Sequence, residues 1–558
     1  MKMIIPRVKS EKIFDGEYRF SEKIKIYTAD YPAEKALKAL RMFVPTVTFY
    51  DAKTRAEADF IFACLPSITQ NEEYYTINAT GEQIIVNYRS FAGARNAASS
   101  IAQLLKIKDG IICFPKTEIE DYPDAKIRTA LLDPARGLIP VSRVKEIILR
   151  MAMAKFNYIH FHATENEGYV IKFDCFPQLK GPEGKQYTKE EIRDLIDFAD
   201  DLGIEFIPEV GFPAHAQHMV QAIPETRCQT VEGLPSPFVM CAGSEKTYDV
   251  LEKLYTETAE LFYKSKYIHV GTDELLLADI PNLFWFPTWD KCSLCRAMCE
   301  REGIDHNSVT EVFYYMLRRI YKVVSRLGRR VIMWNENIDI SKTPELPRDI
   351  LIHFWRIAMN EDRGPVEGCS FQRFLDEGFE VINSYYATTY IEQEYDNDDD
   401  RLLVWNPTTL PESDPANAHQ IVGGGPSAWC VRKHYDWTMA TSVAIYGDRL
   451  WNYTPVEDRD TFGTALTQLC LGINVPYGYN IYKDLGGLMQ RRDEEKRMWP
   501  KRAATDLTKA KDVLASLSEY HNFNARLAKE YLENIKWLET EADFNDDEND
   551  KKEENPQE

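Results

Sequence analysis

The chain has 558 residues, 44% of them hydrophobic and 12% aromatic, more than one ordinary domain holds. Lys plus Arg number 67 against 88 Asp plus Glu, a formal charge of −21 that argues against nucleic-acid and anionic-membrane partners, both of which select basic surfaces. No apolar run reaches membrane-spanning length, the opening Met1-Lys2-Met3-Ile4-Ile5-Pro6-Arg7 holds no signal-peptide core, and 11 cysteines fit reduced thiols better than a disulfide framework, so a cytoplasmic location is expected.

Residues 1–122 alternate short strand-like runs with helices. Lys23–Tyr27 and Gln83–Tyr88 alternate with period two, and Ala33–Phe43 and Phe91–Leu105 read as helical, so a small α+β domain is expected. From residue 123 the pattern changes. Apolar runs at 127–133, 157–163, 204–210, 267–272, 330–334, 350–355, 379–384 and 420–428 read as strands. Between some of them lie amphipathic helices, at Val141–Ala154, Lys189–Leu202, Tyr248–Lys264 and Val309–Leu327. Eight strands alternating with helices over residues 123–484 point to an α/β fold, a (β/α)8 TIM barrel. A doubly wound open sheet is the rival, but no Gly-rich phosphate loop follows the first strand. Residues 485–540 read as a C-terminal helical segment. Residues 541–558 hold nine acids and two lysines and read as an acidic disordered tail.

Barrel chemistry gathers where strands end. The run Tyr267-Ile268-His269-Val270-Gly271-Thr272 ends in Asp273-Glu274. Two enclosed acids cannot both ionise cheaply, so one of them should have a raised pKa, which suits a general acid. The rival reading is a helix N-terminus with acids in its first turn. Other strand ends carry Asp133 and Arg136, then His160, His162 and Glu165, then Glu209 and His215. Trp334, Trp355, Tyr390 and Trp429 stand at the remaining ends. Tryptophans there suit a pocket walled by indole faces, against which the C–H faces of a sugar ring pack. Each has a plainer reading: a lone Trp as core or rim, Arg136 as the ion-pair partner of Asp133, and His160 and His162 as hydrogen-bonded barrel histidines.

As an ordered set these residues resemble glycoside hydrolase family 20, the β-N-acetylhexosaminidases, over roughly residues 120–480. His269-Val270-Gly271-Thr272-Asp273-Glu274 is similar to the family's His-x-Gly-Gly-Asp-Glu. Leu132-Asp133-Pro134-Ala135-Arg136, Met153–Glu165, Pro208–Ala216 and Tyr390-Ile391-Glu392 match further segments in order. The resemblance implies hydrolysis of terminal non-reducing β-linked GlcNAc or GalNAc from an oligosaccharide or glycoconjugate, by a substrate-assisted retaining mechanism without cofactor or metal. It implies Glu274 as proton shuttle and Asp273 as the clamp on the substrate's acetamido group. Arg136, Trp334, Trp355, Tyr390, Glu392 and Trp429 would bind substrate, with Glu165 and His215 in support.

The chain departs from the family pattern at several points. Thr272 replaces the second Gly, Gly211 an acid and Ala214 a Gly, while Glu165 and Glu392 stand where Asp is usual. Trp429-Cys430-Val431 lacks the Glu that reads the outer hydroxyls of the sugar. These changes motivate an alternative, a catalytically weakened carbohydrate-binding protein on the same fold. Separately, Cys292, Cys295 and Cys299 have a metal-binding spacing, with His306 a candidate fourth ligand. Buried free thiols are the plainer reading, and a zinc-dependent hydrolase is the third functional hypothesis.

Overall fold

The structure is a computed structural model. It describes residues 3–472, except 21–22, 70, 109–110, 229–235, 276–286, 336–337, 339–345, 357–369, 392–398, 411–412 and 430–434. The expected C-terminal helices at 485–540 and the acidic tail at 541–558 lie outside the described residues.

All eight expected strands form. They are β1 (Ile127–Leu132), β2 (Tyr158–His162), β3 (Glu205–Phe212), β4 (Tyr267–Gly271), β5 (Arg330–Trp334), β6 (Leu351–Phe354), β7 (Val381–Asn383) and β8 (Ile421–Gly424). Each pairs in parallel with the next, and β8 pairs with β1, so the sheet closes into a barrel and has no free edge. The closure rules out the open doubly wound sheet. The last strand breaks at Gly425-Pro426, where proline has no N–H to give, and the chain rejoins β1 at Ser427–Ala428.

Helices α1 (Val141–Met153), α2 (Lys189–Asp201), α3 (Glu245–Leu261), α4 (Val309–Arg326) and α5 (Tyr435–Trp451) lie between or after the strands. In α1, Val144, Ile147, Ile148, Met151 and Ala152 are buried, and in α4 Val312, Phe313, Met316, Leu317, Ile320 and Val324 are. These positions share one face at a 3.6-residue period, which is why the segments form helices against the barrel. Thr188 caps α2 in a reciprocal box with Glu191.

Side chains along a strand alternate between barrel interior and helix layer. One interior cluster is apolar: Ile127, Ile207, Ile332, Leu351, Ile382 and Val422, with Tyr158 and Tyr267 packed on it. Two residues further along β2 to β6 the same face carries His160, Glu209, His269, Trp334 and His353, all at most 2% exposed. The barrel interior therefore changes from grease to polar groups within one layer.

Residues 1–122 lie in a separate compact unit. Its sheet runs in the order Ser10–Phe20, Ile111–Asp121, Tyr75–Asn78, Ile84–Tyr88, Phe60–Cys64, Lys23–Thr28, Thr48–Asp51. Helices Tyr31–Phe43 and Phe91–Leu104 pack on it and on each other, the first capped by Asp30 and the second by Ser90. No described helix is long and apolar enough to cross a membrane.

Truncating the apolar layer should be costly. Ile332→Ala and Ile382→Ala are each expected to lower the urea-unfolding free energy by about 2–5 kcal/mol at unchanged m-value. Val404→Ala, at an exposed position, should stay within about 0.5 kcal/mol.

Candidate active site

The residues singled out at the strand ends converge on one place. Arg136 sends one guanidinium nitrogen to Asp133 Oδ2 at 2.9 Å and the other to Glu165 Oε2 at 2.8 Å. Glu165 also meets His162 Nε2 at 3.1 Å and His215 Nδ1 at 2.6 Å. His162 Nδ1 bonds Glu209 Oε2 at 2.6 Å. His215 Nε2 points the other way, 3.3 Å from Asp273 Oδ2 and 3.1 Å from Glu274 Oε2. A line of alternating charge thus runs Glu209, His162, Glu165, His215, Glu274, from the barrel interior to its mouth.

The backbone explains how two adjacent acids reach one imidazole. In a regular strand, neighbours point to opposite faces. Here Gly271, Thr272 and Glu274 have φ of 71°, 85° and 52°. The strand ends in a left-handed twist that brings both carboxylates round to His215. Gly271 is the residue this requires, because a Cβ there would meet Gly211 Cα at 2.8 Å. Thr272 is β-branched and pays about 1–3 kcal/mol for its φ. It is 1% exposed, and its hydroxyl donates to the Trp334 carbonyl at 3.0 Å, which helps hold it there. Asp273 and Glu274 lie in this twist and outside any described helix, so the helix-terminus reading of the pair is set aside.

Glu209 is fully buried and heavily contacted. Besides His162 it accepts the Trp334 indole N–H at 3.0 Å on Oε1, with His160 Nε2 2.8 Å from Oε2 and His269 Nδ1 3.3 Å from Oε1. Burial works against its ionisation, but the three imidazoles, His162 foremost, and the hydrogen bonds hold its carboxyl well below the usual range. His162 is the reciprocal case. Burial opposes its charge, and Glu209 and Glu165 overcome that and push its pKa up to about 10. His160 moves the other way, down to about 4, because burial and the neighbouring His269 outweigh Glu209.

The remaining imidazoles form a chain. His269 Nδ1 lies 3.1 Å from the Gly271 nitrogen, and its Nε2 lies 3.4 Å from His353 Nδ1. His353 Nε2 hydrogen-bonds with Ser384 Oγ at 2.8 Å, and Ser384 donates to the Gly425 carbonyl at 3.1 Å. His160, His269 and His353 bring ring nitrogens within 4.8 Å of one another, a spacing that could hold an ion, but this chain already engages His269 and His353.

The catalytic-looking pair is split by its surroundings. Burial raises the Asp273 pKa, helped by Glu209, Glu274 and Glu165 against His215. Burial also acts on Glu274, but the His215 hydrogen bond and charge, with Arg356, lower it overall. His215 itself is driven well up, since Glu165 and Asp273 outweigh its burial. The expectation that one acid is raised therefore falls on Asp273 in the free protein, and not on Glu274, the residue assigned the proton-shuttle role. The causes are the burial of Asp273 and the carboxylates around it, together with the His215 hydrogen bond that lowers Glu274.

The aromatic residues sit above this network. Trp355 and Tyr390 stack with ring centres 5.9 Å apart and planes 7° from parallel. Trp429 lies 6.0 Å from both Tyr390 and Trp334, edge-on to His162 and 5.3 Å from the Arg136 guanidinium carbon. Trp355, Tyr390 and Trp429 are partly exposed and Trp334 is 1% exposed, so Trp334 lies deeper than the other three. Glu392 and Val431 lie outside the described residues. Asp133, His162 and Glu209 were visible at strand ends but were not counted as site residues. Their signal was the inward register, since His160 and His162 share a face and Glu209 pairs laterally with His162.

Glu209→Gln should break the buried pair at a cost of about 3–5 kcal/mol in chemical denaturation at neutral pH. The pH dependence gives the sign. His162 is raised from 6.5 to about 10, so its stabilisation is complete below about pH 6.5 and is lost as pH rises toward 10. Wild-type stability should fall across that window, and the variant should show a shallower fall.

Comparison with known proteins places this geometry. Residues 126–439 match the model for glycosyl hydrolase family 20, catalytic domain, and residues 2–122 match family 20, domain 2. A beta-hexosaminidase of Vibrio furnissii is 26% identical over 472 residues, covering 76% of this chain and 72% of that protein. One from Porphyromonas gingivalis is 26% identical over 450 residues, covering 74% and 55%. Among solved structures, the beta-N-acetylhexosaminidase of Bacteroides fragilis superposes with a TM-score of 0.72 at 25% identity, covering 86% of this chain and 96% of that one. The exo beta-N-acetylglucosaminidase of Vibrio harveyi, in complex with N-acetylglucosamine, shares the fold with a TM-score of 0.70 at 22% identity, covering 85% and 78%. The chain belongs to glycosyl hydrolase family 20 and is a glycosidase.

Proposed function

We propose that the protein removes terminal β-linked N-acetylhexosamine, GlcNAc or GalNAc, from oligosaccharides or glycoconjugates by a substrate-assisted retaining mechanism. The observation that carries this reading is the placement of both adjacent acids on one histidine nitrogen beneath a group of partly exposed aromatic rings. Among the described residues the two acids lie side by side on one imidazole. That suits a reaction in which the substrate supplies the nucleophile.

In this reading the acetamido oxygen attacks the anomeric carbon and the C–O bond to the leaving group breaks. Glu274 delivers a proton to the leaving oxygen and later takes one from water. Asp273 accepts the acetamido N–H and balances the positive charge that grows on the cyclic intermediate. Tyr390 holds the acetamido oxygen and Arg136 the ring hydroxyls, while Trp355 and Trp429 wall the ring and Trp334 forms the floor.

The split environments of the pair suggest how the proton reaches Glu274. In the free protein burial and the neighbouring carboxylates raise the Asp273 pKa, whereas the His215 hydrogen bond and charge, with Arg356, lower that of Glu274. A bound acetamide N–H stabilises ionised Asp273, and an aglycone covering Glu274 stabilises its neutral form. Binding then lowers the Asp273 pKa and raises that of Glu274, toward the roles of clamp and shuttle. A cytoplasmic location fits the eight free cysteines and the lack of a disulfide among the described residues.

The test is a panel of aryl β-glycosides of GlcNAc, GalNAc and their 6-substituted forms. Wild-type protein should cleave at least one and release the β-anomer first, as seen by NMR. Glu274→Gln should lose about 10²–10⁴-fold in kcat/KM, and Asp273→Asn a comparable amount, with sugar binding retained in calorimetry. Binding without turnover by wild type would favour the weakened carbohydrate-binding alternative, and an α-anomeric first product would exclude retention.

A further inference from the structure

Four cysteines meet outside the glycosidase site. Cys228 and Cys241 come from the connection after β3, and Cys292 and Cys295 from the turn into helix Ser293–Glu302 after β4. All four are at most 4% exposed. Their sulfurs lie 3.6 Å apart for Cys241 and Cys295, 3.9 Å for Cys241 and Cys292, and 4.0 Å for Cys228 and Cys295. All four fall within 4.8 Å of one another. A disulfide needs about 2.05 Å. A tetrahedron of sulfurs around an ion at about 2.3 Å has edges of about 3.8 Å, the spacing seen here.

The surroundings are those of a built site. The Gly243 N–H donates to Cys295 Sγ at 3.3 Å, as backbone amides do toward metal-bound thiolates. A Cβ on Gly243 would fall 2.3 Å from the Leu294 carbonyl and 2.5 Å from Cys295 N, so only glycine lets the two turns interlock. Backbone around Cys241 is fixed from several sides: its N–H bonds Thr226 O at 2.7 Å, its carbonyl accepts from Thr247, and Ala242 O accepts from Tyr248. The buried Trp289 donates to Met240 O at 2.8 Å.

We propose that Cys228, Cys241, Cys292 and Cys295 bind one zinc ion in a closed tetrahedral site that clips two barrel loops together. The first loop is bonded to the segment carrying His215, through Ala216 N to Phe238 O at 2.9 Å and Met240 N to Pro213 O at 2.8 Å. The second follows the strand that ends in Asp273 and Glu274. Four sulfur ligands leave no open position for water, so the ion holds loops and takes no part in hydrolysis. This replaces the sequence-based grouping: Cys299 and His306 are not in the cluster, and Cys228 and Cys241 supply the missing ligands.

The proposal is independent of the glycosidase reading, because metal content is measured without turnover. Wild-type protein purified without chelators should carry one zinc per chain by mass spectrometric elemental analysis. Titration with a mercurial under native conditions should release that zinc as four thiols react. Cobalt-loaded protein should show the thiolate-to-metal and visible bands of a tetrahedral four-sulfur site. Cys292→Ser/Cys295→Ser should lose the metal, while Cys175→Ser should keep it. Metal-free wild type grown with ample zinc, a disulfide among the four cysteines in peptide mapping, or stoichiometric iron in place of zinc would each overturn the assignment.

Discussion

The buried carboxylate of Glu209 is the constraint on which the site depends. An isolated charge in a barrel interior is costly, and it persists only with partners. Three imidazoles and an indole N–H surround this one. Because its strongest partner, His162, is thereby kept cationic, Glu165 beyond it is kept anionic, and His215 beyond that cationic again. Each group in the line fixes the charge of the next. The protonation state at the mouth is therefore determined partly by a residue that no solvent or ligand touches.

Much of this architecture was legible in the sequence. Strands buried on both faces read as near-continuous apolar runs, and all eight barrel strands do. The strand Ser10–Phe20 did not stand out, because it is an edge strand whose side chains are mostly exposed and whose sequence is polar. The adjacent acids were evident as a pair, but their difference was not. Burial and neighbouring carboxylates raise Asp273 while His215 lowers Glu274, and this arrangement depends on a left-handed strand end that no periodicity reveals. The metal spacing was half visible: Cys292 and Cys295 have the tight spacing of ligands on one turn, whereas Cys228 and Cys241 are joined to them only by the packing of two loops.

Two devices therefore act on the same pair of strand ends. One is electrostatic and reaches Asp273 and Glu274 from inside the barrel through His162 and His215. The other, with an ion among the four sulfurs, is mechanical and ties together the loops after β3 and β4. The first runs through residues of β2, β3 and β4 and the second joins the loops after β3 and β4, which leaves the aromatic residues after β6, β7 and β8 to shape the rest of the wall.

The twist at Gly271 and Thr272 has a consequence for how this site can be lost. The pair works only while the chain there keeps a handedness that threonine resists. A neighbour that let Thr272 relax toward ordinary extended geometry would swing the two acids to opposite sides of the strand. Every ionisable group would still be present, and the chemistry would be gone. The most fragile element of this acid–base site is thus a rotation about an uncharged residue.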